Sequence, residues 1–177
     1  MSRLAKKPIV LAGTTQVSVA DGVVSVKGPK GTLSRPVHSF VSIEVTPEGV
    51  LVRPKNNSKL SKSLTGTFVA HVRNMAAGVT TPFKKALVLE GVGYKVELAG
   101  KELVLSVGFS HKVKLAIPEG ITATIEKNTM TFEGIDKDAV GQFAAIVRAV
   151  KPPEPYLGKG IRYKEEKILR KQGKKAV

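Results

Sequence analysis

The 177 residues carry 29 Lys and Arg against 14 Asp and Glu, a formal charge of +15, with 42% hydrophobic residues and no cysteine. Such a chain can bury a core in one domain or two small ones, and disulfides and thiolate metal sites are excluded. No apolar run reaches bilayer length, and no long apolar stretch follows the charges of the amino terminus, so neither a membrane span nor a signal peptide is expected. The Asn56-Asn57-Ser58 sequon is then incidental in a cytosolic chain. A globular chain this basic usually meets a polyanion. The charge is unevenly placed, at net +8 over residues 1–81, +1 over 82–150 and +6 over 151–177. Solubility alone would not require that pattern.

In chain order, Val17-Ser18-Val19 and Val23-Val24-Ser25-Val26 are alternating strips joined by Ala20-Asp21-Gly22, a hairpin signal because Asp-Gly tolerates positive φ. Lys27-Gly28-Pro29-Lys30-Gly31 is a turn with two lysines. Strands follow at Val41 to Val45 and Val50 to Arg53, then a basic loop without acids, Arg53-Pro54-Lys55-Asn56-Asn57-Ser58-Lys59. Leu60, Leu64, Phe68, Val72 and Met75 fall on one helical stripe, with Ser58 as N-cap and Gly78 as the expected stop. This Phe and Met are core material rather than a cofactor box.

The pattern then begins again. Gly66, Phe68, Ala70, Val72 and Arg73 align with Gly141, Phe143, Ala145, Val147 and Arg148, and upstream Val45 to Val52 aligns with Ile125 to Phe132. The expected fold class is α+β: two tandem related domains, each an antiparallel β-sheet with one packed helix, plus a basic C-terminal tail. The domains are placed at residues 1–81 and 82–177, with the boundary near Val79-Thr80-Thr81-Pro82. The second helix is expected to start at Asp136 and stop at Pro152. Each half buries a modest core, so a shared strand or interface is expected to hold the pair rigid.

The stretch Pro152-Pro153-Glu154-Pro155-Tyr156-Leu157-Gly158-Lys159-Gly160-Ile161-Arg162-Tyr163 ends that helix, since its prolines fix φ and remove donors. Beyond them Gly158 and Gly160 allow close approach of a bulky anion, Lys159 and Arg162 supply charge, and Tyr156 and Tyr163 supply planar faces. Two readings stand side by side, a phosphate-binding ledge and an ordinary surface loop of solvated lysines.

No catalytic constellation is legible. His38, His71 and His111 stand apart, without Asp, Glu or Cys at ligand spacing. Gly91-Val92-Gly93 opens like a dinucleotide fingerprint, but Val96 holds the third glycine place and a strand follows, so a bulge or tight backbone approach between the halves is expected. Pro153 stands where a Walker motif needs glycine. Glu165-Glu166 reads as a solvated tail, and Asp136 with Asp138 as a helix start. No enzyme activity, cofactor, metal or small-molecule substrate is expected.

The chain resembles the bacterial-type large-subunit ribosomal protein L-six family. The resemblance runs nearly end to end through Met1-Ser2-Arg3 with Lys6-Lys7-Pro8-Ile9, then Val26-Lys27-Gly28-Pro29-Lys30-Gly31 and Asn74-Met75 with Gly78-Val79-Thr80. It continues in Gly91-Val92-Gly93-Tyr94-Lys95, Gly108-Phe109-Ser110-His111 and Pro153 to Tyr163. It implies two related α+β domains that bind large-subunit ribosomal RNA near the factor-binding side and the stalk base, beside neighbouring ribosomal proteins there. Three departures stand out. Leu157 holds a place where the family usually has Lys. Thr65, Gly66, Thr67, Phe68 and Val69 stand where it usually reads His-Gly-Thr-Thr-Arg. Lys112 stands where it often has Pro.

Six Phe, three Tyr and no Trp leave few stacking faces, so binding is expected to rest on phosphates and RNA shape. The candidate contacts are Lys27 and Lys30 in the first turn, Arg53, Lys55 and Lys59 in the basic loop, and Tyr156, Gly158, Lys159, Gly160 and Arg162 on the ledge. The tail from Lys164 to Lys175 adds Lys164, Lys167, Arg170 and Lys171 and is expected to fray until RNA orders it. For the loops and the tail, solvated surface is the competing reading. A different class also stays open: a basic module for acidic surfaces, either an anionic membrane or an acidic protein. That reading needs a basic helix with a continuous apolar face, which the tail lacks.

Overall fold

The computed structural model describes residues 8–11, 13–46 and 49–173. They fall into two compact units, one running to Pro82 together with Ile135–Lys137, the other comprising Phe83–Gly134 and the chain from Asp138 onward.

In the first unit, β1 (Gln16–Ala20), β2 (Val23–Gly28) and β3 (Gly31–Pro36) form an antiparallel sheet, and β4 (Val41–Thr46) pairs with β5 (Gly49–Pro54). Asp21 and Gly22 both have positive φ, +50° and +71°, as a two-residue hairpin turn requires. β3 goes beyond the strands expected from the sequence, because Leu33 is its one large apolar residue. The expected Pro47-Glu48 turn lies outside the described residues. Ile9 exchanges backbone hydrogen bonds with Val50 at 2.9 and 3.1 Å. Gly49 permits that approach, since a Cβ there would lie 2.3 Å from the Ile9 carbonyl oxygen.

Helix α1 (Lys59–Thr80) closes this unit, with the Ser58 hydroxyl capping the Ser61 N–H at 3.1 Å. Its buried stripe is Ser61, Thr65, Phe68, Val69, Val72, Met75 and Val79. Leu60, expected on the stripe, is exposed because the burial axis runs one residue later. Gly78 does not stop the helix. It is buried within the last turn, and the Thr81 N–H closes the end on the Ala77 carbonyl at 2.7 Å.

The second unit opens with β6 (Phe83–Glu90). Then β7 (Lys95–Ala99), β8 (Glu102–Ser106) and β9 (Val113–Ala116) form a three-stranded sheet, followed by the hairpin β10 (Ile121–Glu126) and β11 (Thr129–Gly134). Helix α2 (Lys137–Val150) follows Asp136 and ends before Pro152. A last strand, β12 (Gly160–Tyr163), completes a sheet of order β10-β11-β6-β12. Gly91 and Gly108 both make close approaches to the Tyr94 ring.

The repeat is visible in register as well as in order. Val45 faces Val50 in one hairpin and Ile125 faces Met130 in the other, the residues aligned from the sequence. Ile9 lies on Val50 as Leu87 lies on Met130. On the helices, Phe68 and Phe143 are buried, as are Val72 and Val147, while Ala70 and Ala145 face outward. Each helix therefore packs through the same face. Phe143 meets Phe132 edge-on at 5.0 Å between centroids within a core of Leu87, Leu103, Leu105 and Ile161. Phe143→Ala should cost about 3–5 kcal/mol in urea denaturation, because a full ring leaves a dry, packed site. A loss below about 1 kcal/mol would mean the ring is not buried as described.

Candidate nucleic-acid interface

Pro152 and Pro153 cannot continue α2, and the chain loops out and returns. The Glu154 N–H donates to the Lys159 carbonyl at 3.0 Å, and the Ile161 N–H to the Lys151 carbonyl at 2.8 Å. The return runs into β12, where Ile161 is fully buried against Leu89. This loop is therefore tied at both ends by main-chain bonds. Tyr156, Leu157 and Lys159 stand on its outer side, with Tyr156 57% and Leu157 64% exposed.

The two glycines serve contacts within the protein. Gly160 has φ +139° and passes Pro152 so closely that a Cβ would sit 2.6 Å from the proline carbonyl oxygen. Gly158 has φ +77°, and a Cβ there would meet the Arg170 guanidinium at 3.0 Å. Both are buried. The close approach that the sequence suggested for a sugar-phosphate chain is made instead to the chain's own atoms.

Arg162 is also turned inward. Its Nε and Nη2 donate to Glu90 Oε1 at 2.9 and 2.5 Å, and Nη1 faces the carbonyls of Tyr163, Lys164 and Glu166 at 3.3–3.5 Å. With Nε and Nη2 on Glu90 and Nη1 toward three carbonyls, the guanidinium clamps β12 to β6 from inside the protein, where the sequence suggested an outward-facing phosphate contact. Glu166 likewise is not a solvated tail residue. Its carboxylate takes Arg148 Nε at 2.9 Å and Nη2 at 2.5 Å, and accepts the Tyr163 N–H at 3.1 Å. The Arg148 hydrogen bonds hold the Glu166 carboxyl below its ordinary value. The Tyr163 N–H and the charges of Arg148 and Arg162 act in the same direction, against partial burial. The same pairing raises Arg148.

The tail between Lys164 and Gly173 has no helix and does not project freely. The Lys164 N–H bonds the Ala86 carbonyl at 3.0 Å, and the Lys171 N–H bonds the Pro155 carbonyl at 2.8 Å. The tail is thus a strap that leaves β12, turns at Glu166 and returns to the loop. Its exposed cations Lys164, Lys167, Arg170 and Lys171 have no carboxylate at ion-pair distance among the described residues, and neither does Lys159. These anchors stand beside the expectation that the segment from Lys164 to Lys175 frays until RNA orders it, of which Lys174 and Lys175 lie outside the described residues.

In the first unit the candidates separate. Lys27 and Lys30 lie on the β2–β3 turn, and the Lys30 N–H bonds the Val79 carbonyl at the C-terminal end of α1. Arg53, Lys55 and Lys59 lie at its N-terminal end, where the first turn has no acid. Twenty helical residues at 1.5 Å each put these clusters about 30 Å apart, too far for one phosphate to bridge. All five are exposed, and Arg53 keeps a loose contact with Glu44 at 3.9 Å.

The sequence model of the family described as Ribosomal protein L6 matches residues 13–81 and 90–164. The chain belongs to the ribosomal protein L6 family. It is 47% identical over 175 residues to the large ribosomal subunit protein uL6 of Desulfatibacillum aliphaticivorans, covering 98% of each chain. The uL6 protein of Cupriavidus necator is 48% identical over 176 residues, with 99% of each covered, and that of Dictyoglomus thermophilum is 48% identical with 98% of each covered. This is a family of structural rather than catalytic proteins.

Within this L6-family chain, the departures at Thr65 and Val69 fall on the buried face of α1. Thr65 Oγ1 donates to the Ser61 carbonyl at 2.7 Å, and Val69 is 1% exposed. These two changes belong to packing, whereas Leu157 is on the surface of the loop. His71 is engaged by the Arg35 guanidinium at 2.9 Å and lies edge-on to Phe68. Among the described residues no three His, Asp or Glu side chains gather as metal ligands would.

The Glu166 shift has a sign that can be tested. Its folded pKa lies below its ordinary value of 4.5, so the pair contributes stability above the unfolded pKa, and that stability is lost as pH falls through the folded one. The Tyr163 amide, which donates to Glu166, should titrate in two-dimensional NMR with a midpoint below 4.5. A midpoint at or above that value contradicts the pairing.

Proposed function

We propose that the chain is a structural constituent of the large ribosomal subunit, in the cytoplasm, and that it binds large-subunit ribosomal RNA near the factor-binding region and the stalk base. Neighbouring ribosomal proteins would abut it there. The two repeats, residues 1–81 and 82–177, act in this reading as related modules that each present basic loops. Family membership supports the assignment to the ribosome, since the relatives are large-subunit proteins. The observation that carries RNA binding is the C-terminal surface, where exposed cations without acidic partners stand on a loop and strap fixed by main-chain hydrogen bonds.

Fixing the loop beforehand lowers the entropy lost when phosphate is engaged. Tyr156 is exposed and offers its face to a base or sugar. Lys159, Lys164, Lys167, Arg170 and Lys171 are the cations of this surface. Lys27 and Lys30, and separately Arg53, Lys55 and Lys59, supply two further contacts at the ends of α1. Gly158, Gly160 and Arg162 support the loop from inside. Among the described residues the strap forms no helix, which favours this reading over a basic amphipathic helix on a membrane.

Binding to a large-subunit RNA fragment should be strongly salt-dependent. If about 6 phosphates are neutralised, log K should fall against log salt with a slope steeper than about −4. A nearly flat titration, or equal recovery with anionic liposomes and with large subunits in co-sedimentation, contradicts RNA binding as the main role. Single substitutions should divide the surface from its support. Lys159→Ala should weaken RNA binding by about 1–2 kcal/mol with an unchanged melting temperature. Arg162→Ala should lower the melting temperature by stranding Glu90. The reverse pattern would return Arg162 to the surface.

A further inference from the structure

We propose that Glu166 is a positioning residue for a composite phosphate site, in which Lys159, Arg170 and Lys171 from two separate segments act as one unit on the RNA backbone. The proposal rests on the ribosomal-RNA reading above and adds to it how the site is assembled.

The two segments are joined at defined points. The Lys171 N–H bonds the Pro155 carbonyl, and the Arg170 guanidinium lies over Gly158, the residue before Lys159. Gly158 has φ +77°, a conformation that favours glycine, and without a side chain it lets the guanidinium lie close, since a Cβ would stand 3.0 Å from it. No carboxylate is within ion-pair distance of the three cations among the described residues, so their attraction for an anion is not spent internally. Guanidinium and ammonium groups on one rigid surface suit a phosphodiester oxygen pair.

What brings Arg170 back is the turn at Glu166. Between Lys164, bonded to Ala86, and Lys171, bonded to Pro155, the side chain with anchoring bonds is Glu166. Its carboxylate is held by the Arg148 fork and the Tyr163 N–H, and its carbonyl faces Arg162. An acid within a cationic strap would repel phosphate if it faced outward. Here it is neutralised inward, and the strap is directed by the same bonds.

The sign of one substitution separates positioning from simple charge. Glu166→Gln removes a negative charge, so long-range electrostatics alone predicts tighter RNA binding. A positioning role predicts weaker binding, because the strap is released. The full chain, Arg170→Ala/Lys171→Ala, Glu166→Gln and the triple variant would be titrated with a transcript of bacterial large-subunit ribosomal RNA at several salt concentrations, with melting curves alongside.

The double variant should lose about tenfold in affinity and flatten the salt slope by about 1–2. Glu166→Gln should weaken binding roughly 3–10-fold, and the triple variant should be little weaker than the double, because the residues act as a unit. If Glu166→Gln melts early, Arg148→Lys, which keeps the charge and loses the fork, takes its place with the same expectation. Binding by Glu166→Gln that equals or exceeds the parent's, or losses that multiply in the triple variant, overturns the positioning role. A parent that binds with a steep salt slope while the double variant binds equally well overturns the composite site and leaves the RNA reading standing. A parent that does not bind the transcript overturns both.

Discussion

The second unit depends on the return of the chain from α2 to the edge of β6. Without β12, the outer edge of β6 would present unpaired N–H and C=O groups, and Ile161 would leave the core. The return is possible because Gly160 can pass Pro152 at a distance no side chain allows. The features of this side follow from it. The loop exists because the chain must double back, Arg162 reaches Glu90 because β12 is in register with β6, and the strap begins where β12 ends.

In a chain of charge +15, some cations face inward and others stay on the surface. Here the division follows side-chain geometry. Two arginines, Arg148 and Arg162, spend their planar forks on Glu166 and Glu90, where two or more hydrogen bonds per group offset the cost of partial burial. The lysines of the loop and strap stay outside on flexible stems. Arg170 is the exception, with its guanidinium over Gly158 and no acid at ion-pair distance among the described residues. Of the acids in the C-terminal stretch, Glu166 serves structure, neutralised inward by the Arg148 fork.

The parts legible from the sequence were those with local signals. Asp21-Gly22, the hairpin at Ile125 to Phe132, the Ser58 cap and the bounds of α2 each carry turn chemistry or periodicity within a few residues. The internal repeat was legible because the same buried positions recur, and the shared register of the two hairpins bears it out. β12 was missed because Gly-Ile-Arg-Tyr has one core residue and sits between prolines and charges. Gly78 misled because packing inside the last turn of α1 outweighed its preference for a helix end. The clamps were out of reach for a different reason. Glu90 and Arg162 are 72 residues apart, and which cation faces inward is decided by strand register that periodicity does not reveal.

That the proposed binding surface is built before RNA arrives can be measured on the free chain. Amide hydrogen exchange of Glu154, Ile161 and Lys171, the donors to Lys159, Lys151 and Pro155, reports the loop and strap directly. A preformed surface gives protection at all three amides without RNA, with Ile161 approaching the protection of the core strands. Exchange of Glu154 and Lys171 at the rate of an unstructured chain, with protection appearing only when RNA is added, would contradict it.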